Sequence, residues 1–286
     1  TYAVSVTASG THTLNTIPRA SSVSATNVNM GSATKIAISR ASSSFTHTLT
    51  YKFGSSTGTI VSKTTSTSVS WTPAISLANQ IPKAVSGSCT ITCDTYSGST
   101  KVGSKTCTLT LTVPATVKPT ITSLGITKVD GTVPTDWGIY VQSKSKATLT
   151  INGATGSYGS TISSYSISGG GFSSTESSFT TGFLTTSGTI TFTAKVTDSR
   201  GRVSDAKTVS ISVEAYAAPS FTDYSSQRAI SDGTANDDGT YIRSIISYLY
   251  STCENKNTVT RATYYKKSSA STWTNANKGF SSGTAF

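Results

Sequence analysis

Apolar and polar residues alternate along most of this chain with the two-residue period of a half-buried strand. In "ITFTAKVTDSRGRVSDAKTVSISV" (190–213), Ile190, Phe192, Ala194 and Val196 alternate with polar residues. Asp198-Ser199-Arg200-Gly201 then supplies turn residues, and Val209, Ile211 and Val213 resume the alternation. The pattern predicts a hairpin with one apolar face, a single layer that needs a second sheet behind it. "CTITCDTYSGSTKVGSKTCTLTLTV" (89–113) follows the same design. Thr, Val, Ile and Tyr suit pleated surfaces, and runs with helical spacing are hard to find. The expected fold class is all-β.

Between such hairpins the alternation is broken by proline, as in "TLTVPATVKPTITS" (110–123). Proline removes a ladder donor and forces its predecessor into extended geometry, so it belongs at the start of a strand or between sheets. Pro18, Pro119 and Pro219 lie 101 and then 100 residues apart, each after a Thr/Ser-rich alternating run and before another extended one. "VDGTVPTDWGIYVQS" (129–143) and "SDGTANDDGTYIRS" (231–244) repeat at the same period. Repeats of about 100 residues with frequent turn signals predict tandem immunoglobulin-like β-sandwich modules. The expected division is 1–16, the last strand of a truncated module; 17–116 and 117–216, complete modules; and 217–286, an incomplete one. Short linkers suggest an extended rod, and the chain reads as a piece of a longer protein.

Charged residues make up only 12% of the 286, and the single methionine stands against a chain dominated by Ser and Thr. The formal net charge is +11. A basic surface attracts nucleic acid or acidic glycans, but here the basic residues are scattered. The nearest thing to a cluster is Lys266-Lys267 beside Tyr264-Tyr265. Nucleic-acid binders concentrate charge and interleave aromatics, so a solvated basic surface is the expectation and nucleic acid is not an expected partner. No apolar run approaches the roughly 18 residues of a membrane span, so no membrane insertion is expected.

The chemistry of catalysis is thin. His12 and His47 both sit in "THTL", where a histidine between threonines reads as a solvent-facing strand position. No G-x-S-x-G elbow positions a nucleophile, and the acids are too scattered to pair for glycoside cleavage. Asp232, Asp237 and Asp238 could share a calcium ion, yet "SDGTANDDGTY" reads better as a turn-forming loop. Cys89, Cys93 and Cys107 share the parity of Ile91, Leu109 and Leu111, which are expected to face inward. A Cys93–Cys107 cross-strand disulfide competes there with buried free thiols, and the thiols are preferred because directly paired strands seldom give good disulfide geometry. Neither a zinc site nor any cofactor is expected. "SISGGGFSSTESS" (166–178) reads as a loop or bulged strand end with Gly169–Gly171 free to take positive φ, not as a phosphate cradle. Trp71 and Trp137 are expected in cores. The candidate surface or glycan contact is Trp273 with Tyr264, Tyr265, Lys266 and Lys267.

"TLNTIPRASSVSATN", the 89–113 hairpin with its "VPATVKPTI" continuation, "TGSYGSTISSYSISGGGF" and "KVTDSRGR" together resemble a family of minor structural proteins from the tail modules of phages and prophages of Gram-positive bacteria. The resemblance spans nearly all of the chain. It implies a non-enzymatic virion component, a fibre, arm or tail-tip spacer that displays or contacts host-surface polysaccharide. Its partners would be other tail proteins and further copies of itself, and its place the virion. The competing expectation is a bacterial surface adhesin stalk, exported and anchored by segments outside this sequence; composition does not separate the two. Any host contact would involve anionic wall polymer and weaken with salt.

Overall fold

The computed structural model describes residues 2, 3, 5, 7–10, 19–129 and 131–286. His12, Pro18 and Asp130 lie outside the described residues, as does most of the strand expected over 1–16. The chain is all-β, with two short 3-10 turns at Ile75–Gln80 and Thr135–Trp137.

The first stretch contains β1 (Ser22–Ala25), β2 (Val28–Asn29), β3 (Thr34–Ser39), β4 (Thr46–Phe53), β5 (Ser56–Thr64), β6 (Ser68–Trp71), β7 (Ser86–Ser97) and β8 (Thr100–Thr112). They form a three-stranded sheet, β1-β3-β6, and a five-stranded sheet, β2-β8-β7-β4-β5. Ile36 and Ile38 from the first sheet meet Leu49, Phe53, Cys89, Ile91, Leu109 and Leu111 from the second in one buried core. Each such side chain contributes about 1.5–3 kcal/mol by leaving water. The alternation of β7 and β8 is what supplies this face: Cys89 pairs with Leu109 and Ile91 with Cys107.

The second stretch repeats the plan with β9 (Ser123–Val129), β10 (Tyr140–Val141), β11 (Lys146–Asn152), β12 (Ile162–Gly169), β13 (Phe172–Ser174), β14 (Ser178–Thr180), β15 (Gly188–Asp198) and β16 (Lys207–Glu214). Again there is a three-stranded sheet, β14-β11-β9, and a five-stranded one, β10-β16-β15-β12-β13. In both five-stranded sheets the short outer strand, β2 or β10, runs parallel to its neighbour, while the long hairpin is antiparallel. Leu149, Ile167, Phe192, Ala194 and Val196 are buried. Gly170 and Gly171, both at positive φ, form the two-residue turn between β12 and β13, a conformation that β-hairpins demand and other residues resist. The glycine run expected as a loop or bulged strand end is therefore the tip of a tight hairpin.

Outward-facing hydroxyls bond to each other across the strands: Thr148 to Thr180, Thr150 to Ser178, Thr191 to Ser210. These ladders are the structural return on a Ser/Thr-rich, charge-poor composition, because cross-strand pairs are what stabilise a solvated sheet face.

Residues 217–286 contain β17 (Ser220–Ala229) and β18 (Tyr241–Leu249), paired antiparallel, and a small hairpin of β19 (Tyr264–Tyr265) and β20 (Thr274–Asn275). The last residues run along β18, where Ser244 and Phe286 exchange backbone hydrogen bonds of 3.0 Å.

By compactness the chain divides into two units, one of residues 1–120, 154–164 and 196–204, the other of 121–153, 165–195 and 205–286. This differs from the division drawn on the sequence period, and the turn Asp198–Arg202 shows why. Asp198 Oδ1 accepts from the amides of Arg200 and Arg202, which closes the turn as expected. The two arginine side chains then act beyond it. Arg200 donates from Nε to the carbonyl of Ile81 at 3.2 Å, from Nη1 to Ser157 at 2.6 Å, and from Nη2 to Ala78 at 2.9 Å and Tyr158 at 2.6 Å. Arg202 donates to the carbonyls of Val113 and Pro114. The carbonyls of Ala78 and Ile81, which already accept from the amides of Ile81 and Ala84, thus gain a second, cationic donor.

Candidate functional site

The candidate contact residues are brought together on the β19–β20 hairpin. Tyr264 pairs with Asn275 and Tyr265 with Thr274, which sets Lys266 opposite Trp273 one step further on. Cross-strand partners share a face and successive residues alternate. Tyr264, Lys266, Trp273 and Asn275 therefore occupy one side, while Tyr265 and Thr274 belong to the other and Lys267 begins the turn at the tip. The hairpin is anchored at its base, where Ala276 N donates to Thr263 O at 2.9 Å and Thr263 Oγ1 to Lys278 O at 2.9 Å. At its tip Ala270 N closes a turn on Lys267 O.

Trp273 is 63% exposed, Tyr264 56% and Tyr265 52%. Lys266 Nζ stands 5.3 Å from the centre of the Trp273 ring, within cation–π range. Asn275 Oδ1 accepts from the Asn277 amide at 2.8 Å, which fixes the side chain and leaves its NH2 to donate. The arrangement offers flat apolar rings, one ammonium and one amide in a row.

In the same unit an open cleft of about 250 Å³ is lined by Phe221, Tyr248, Val259, Arg261 and Phe280 among others. Arg261 Nη1 donates to Tyr248 Oη at 2.8 Å and to Phe280 O at 2.7 Å, and the Tyr248 and Phe280 rings meet edge to face at 5.8 Å. Arg261 carries no local signature in the sequence; its place follows from the chain folding back to bring Phe280 beside β18.

Compared with known families, residues 4–285 match the family model of a siphovirus protein of unknown function, DUF859. The chain belongs to this siphovirus family. No curated protein matches it. Among solved structures it is similar to the fibronectin(III)-like modules of Clostridium thermocellum CbhA, at 15% identity over 68% of this chain and 94% of that one, TM-score 0.26. It is also similar to the FN1–FN3 domains of chicken CNTN1, at 10% identity over 69% of this chain and 68% of that one, TM-score 0.25. The phage resemblance carried by the sequence motifs agrees with the family at the level of a siphovirus protein.

Elsewhere in this siphovirus chain the other sequence candidates resolve into structure. His47 is a correction: expected at a solvent-facing position, it is fully buried. It shares the parity of Leu49 and Phe53 and pairs with the buried Thr95 of β7. Ser21 Oγ lies 2.8 Å from its Nε2, while Nδ1 is buried without a hydrogen-bond partner. Burial first, and the positive charge of Arg40 after it, hold the imidazole below its ordinary pKa against an opposing contact with the Thr64 backbone. The four cysteines are free thiols. Cys93 stands opposite Lys105 and Cys107 opposite Ile91, so those two thiols are offset along the ladder rather than paired. Burial pushes Cys89 and Cys93 up to about 11, which keeps them protonated and unreactive.

The 231–239 loop is built as turns: Asp232 Oδ1 accepts from the Thr234 amide, Asn236 Oδ1 from that of Asp238, and Gly233 takes positive φ. Among the described residues no group of three or more His, Cys, Asp or Glu is placed to hold a metal ion. Trp71 stacks on Tyr51 at 5.2 Å against the first core, and Trp137 packs with Val133, Val141 and Cys253. Among the described residues no helix is long and apolar enough to cross a membrane.

Proposed function

We propose that this chain is a non-enzymatic structural component of the siphovirus virion, a tail fibre, arm or tail-tip element that spaces or mediates contact with host-surface polysaccharide. The observation that carries the reading is the repeated sandwich: the same three-plus-five strand order occurs twice in succession, the second copy faced with hydroxyl ladders. Such a scaffold gives reach and solubility without chemistry, and the siphovirus family supports a place on the particle. Large apolar side chains reach solvent chiefly after residue 220, at Phe221, Tyr224, Ile242, Leu249, Tyr264 and Trp273. Exposed aromatics of that kind suit contact with other tail proteins, further copies, or sugar. Weak contacts repeated around a symmetric tail gain strength through avidity.

The test is immunogold electron microscopy with antibody raised against residues 19–216, applied to purified particles and to washed uninduced cells. Gold along the tails is the expected result. Gold on cell surfaces with bare particles would replace the virion reading with an adhesin stalk.

A further inference from the structure

We propose that the face of the β19–β20 hairpin carrying Tyr264, Lys266, Trp273 and Asn275 binds a pyranose bearing an anionic group, an inference that rests on the host-contact reading above. The ring faces come first. Leaving an indole 63% exposed and a phenol 56% exposed on one side of a two-stranded ribbon keeps apolar surface in water that folding has not removed. The C–H face of a sugar ring is flat, apolar and slightly positive, the complement of an aromatic face.

The polar groups then select among sugars. Asn275, its oxygen already engaged by the Asn277 amide, presents an NH2 that can only donate, which suits a sugar hydroxyl or ring oxygen. Lys266, whose Nζ stands over the Trp273 ring 5.3 Å from its centre, places a compact point charge beside the stacking surface. A carboxylate or phosphate substituent on the stacked sugar would meet that ammonium, whereas a neutral sugar leaves it in water. The excess of 23 Lys and Arg over 12 Asp and Glu adds a long-range attraction of the same sign.

Single-stranded nucleic acid also stacks on aromatics beside cations, but it needs a groove of several cations that follows the backbone. The one lysine that this face sets against its rings is Lys266. The geometry therefore favours a charged glycan, whether its charge is a uronate or a phosphodiester.

The test uses the full chain labelled with 5-fluorotryptophan, whose three tryptophans give three 19F resonances. Trp71 and Trp137, half-buried in their own clusters, serve as internal references. Four probes are titrated: a hyaluronate hexasaccharide, a glycosylated poly(glycerol phosphate), a dextran oligosaccharide and an oligo-dT. The Trp273 resonance is expected to shift saturably with one or both anionic glycans, which tells uronate from phosphate, and the binding should weaken in high salt. Trp273→Ala should cut the affinity at least about tenfold, and Lys266→Gln about two- to fivefold with no effect on dextran.

Silence of Trp273 with both anionic glycans, an equal response to dextran, or tighter binding of oligo-dT would each overturn the assignment. Because Trp273 is exposed, its variant should fold, and unchanged Trp71 and Trp137 resonances would show that it had. Gold on the tails with an unresponsive Trp273 sinks this inference alone; gold on cells alone with a responsive Trp273 sinks the virion reading and leaves the glycan site standing.

Discussion

Truncating Arg200 offers the sharpest test of how the first compact unit is held together. The guanidinium is buried, at 7% exposure, and reaches four main-chain carbonyls, those of Ala78, Ile81, Ser157 and Tyr158. A hydrogen bond from a charged group contributes about 1.5–3 kcal/mol, so four would nominally supply about 6–12 kcal/mol. The Tyr158 carbonyl lies in an exposed residue and those of Ile81 and Ser157 in half-buried ones, so water can replace part of the loss; that of Ala78 is sealed but keeps the amide of Ile81. Arg200→Ala should therefore cost about 3–5 kcal/mol locally, and Arg200→Lys about half of that, because an ammonium cannot span four acceptors. Hydrogen-exchange mass spectrometry of the full chain reads this directly. The amides of Thr155, Ser160 and Ser199, bonded respectively to Thr120, Ser157 and Thr161, report on the affected segments. They should exchange at least about a hundredfold faster in the alanine variant, since each 1.4 kcal/mol is a factor of ten. The amides shared by β7 and β8 should change far less. Unchanged protection in those three amides, or a lysine variant indistinguishable from wild type, would refute the assignment of Arg200 as the main tie.

Three further outcomes follow from the same structure. His47 has a folded pKa below its ordinary 6.5, so the unfolded chain binds the proton first and the associated stability, full above about 7, falls as pH drops through 6.5; calorimetry should show His47→Gln flattening that slope, and an unaltered slope would count against burial of the neutral ring. Thiol titration near pH 8 should find Cys89 and Cys93 silent in the native protein and all four cysteines reactive in denaturant, whereas fewer than four would reveal a disulfide. Gly169→Ala would drive a methyl against the Thr191 carbonyl and to within 2.8 Å of Phe192 Cα at a φ of +150°, while at Gly171, φ +83°, the added methyl meets open space. The first should lower stability by about 2–4 kcal/mol and the second by about 1, read as the difference between their denaturation curves.

How much of this was legible in the sequence depends on the range of the interaction. Alternation is a local signal, so the β7–β8 and β15–β16 hairpins and their inward faces could be read directly. The candidate residues were visible as a cluster, because the aromatics and lysines lie within ten residues of each other, but the hairpin that joins them has strands of only two residues and leaves no alternation to read. His47 was misread because its threonine neighbours were given more weight than its parity with Leu49 and Phe53; the signal was present. Arg200 is a different case. Its turn was legible in "DSRG", but the acceptors of its side chain lie more than forty residues away at Ser157 and Tyr158, and farther still at Ala78 and Ile81. No local pattern encodes which distant carbonyls will present a second lone pair to it. The consecutive positive φ angles of Cys253, Glu254 and Asn255 likewise have no glycine to announce them.

The hydroxyl ladders of the second sandwich have a consequence for how its faces respond to the medium. A face held by lysine–carboxylate pairs loosens when ions crowd in or when acid neutralises one partner. Threonine and serine neither ionise nor attract counter-ions, so the bonds between Thr148 and Thr180, or Thr191 and Ser210, are the same in brine, fresh water and mild acid. These sheets carry their outer stitching in bonds that neither salt nor mild acid loosens.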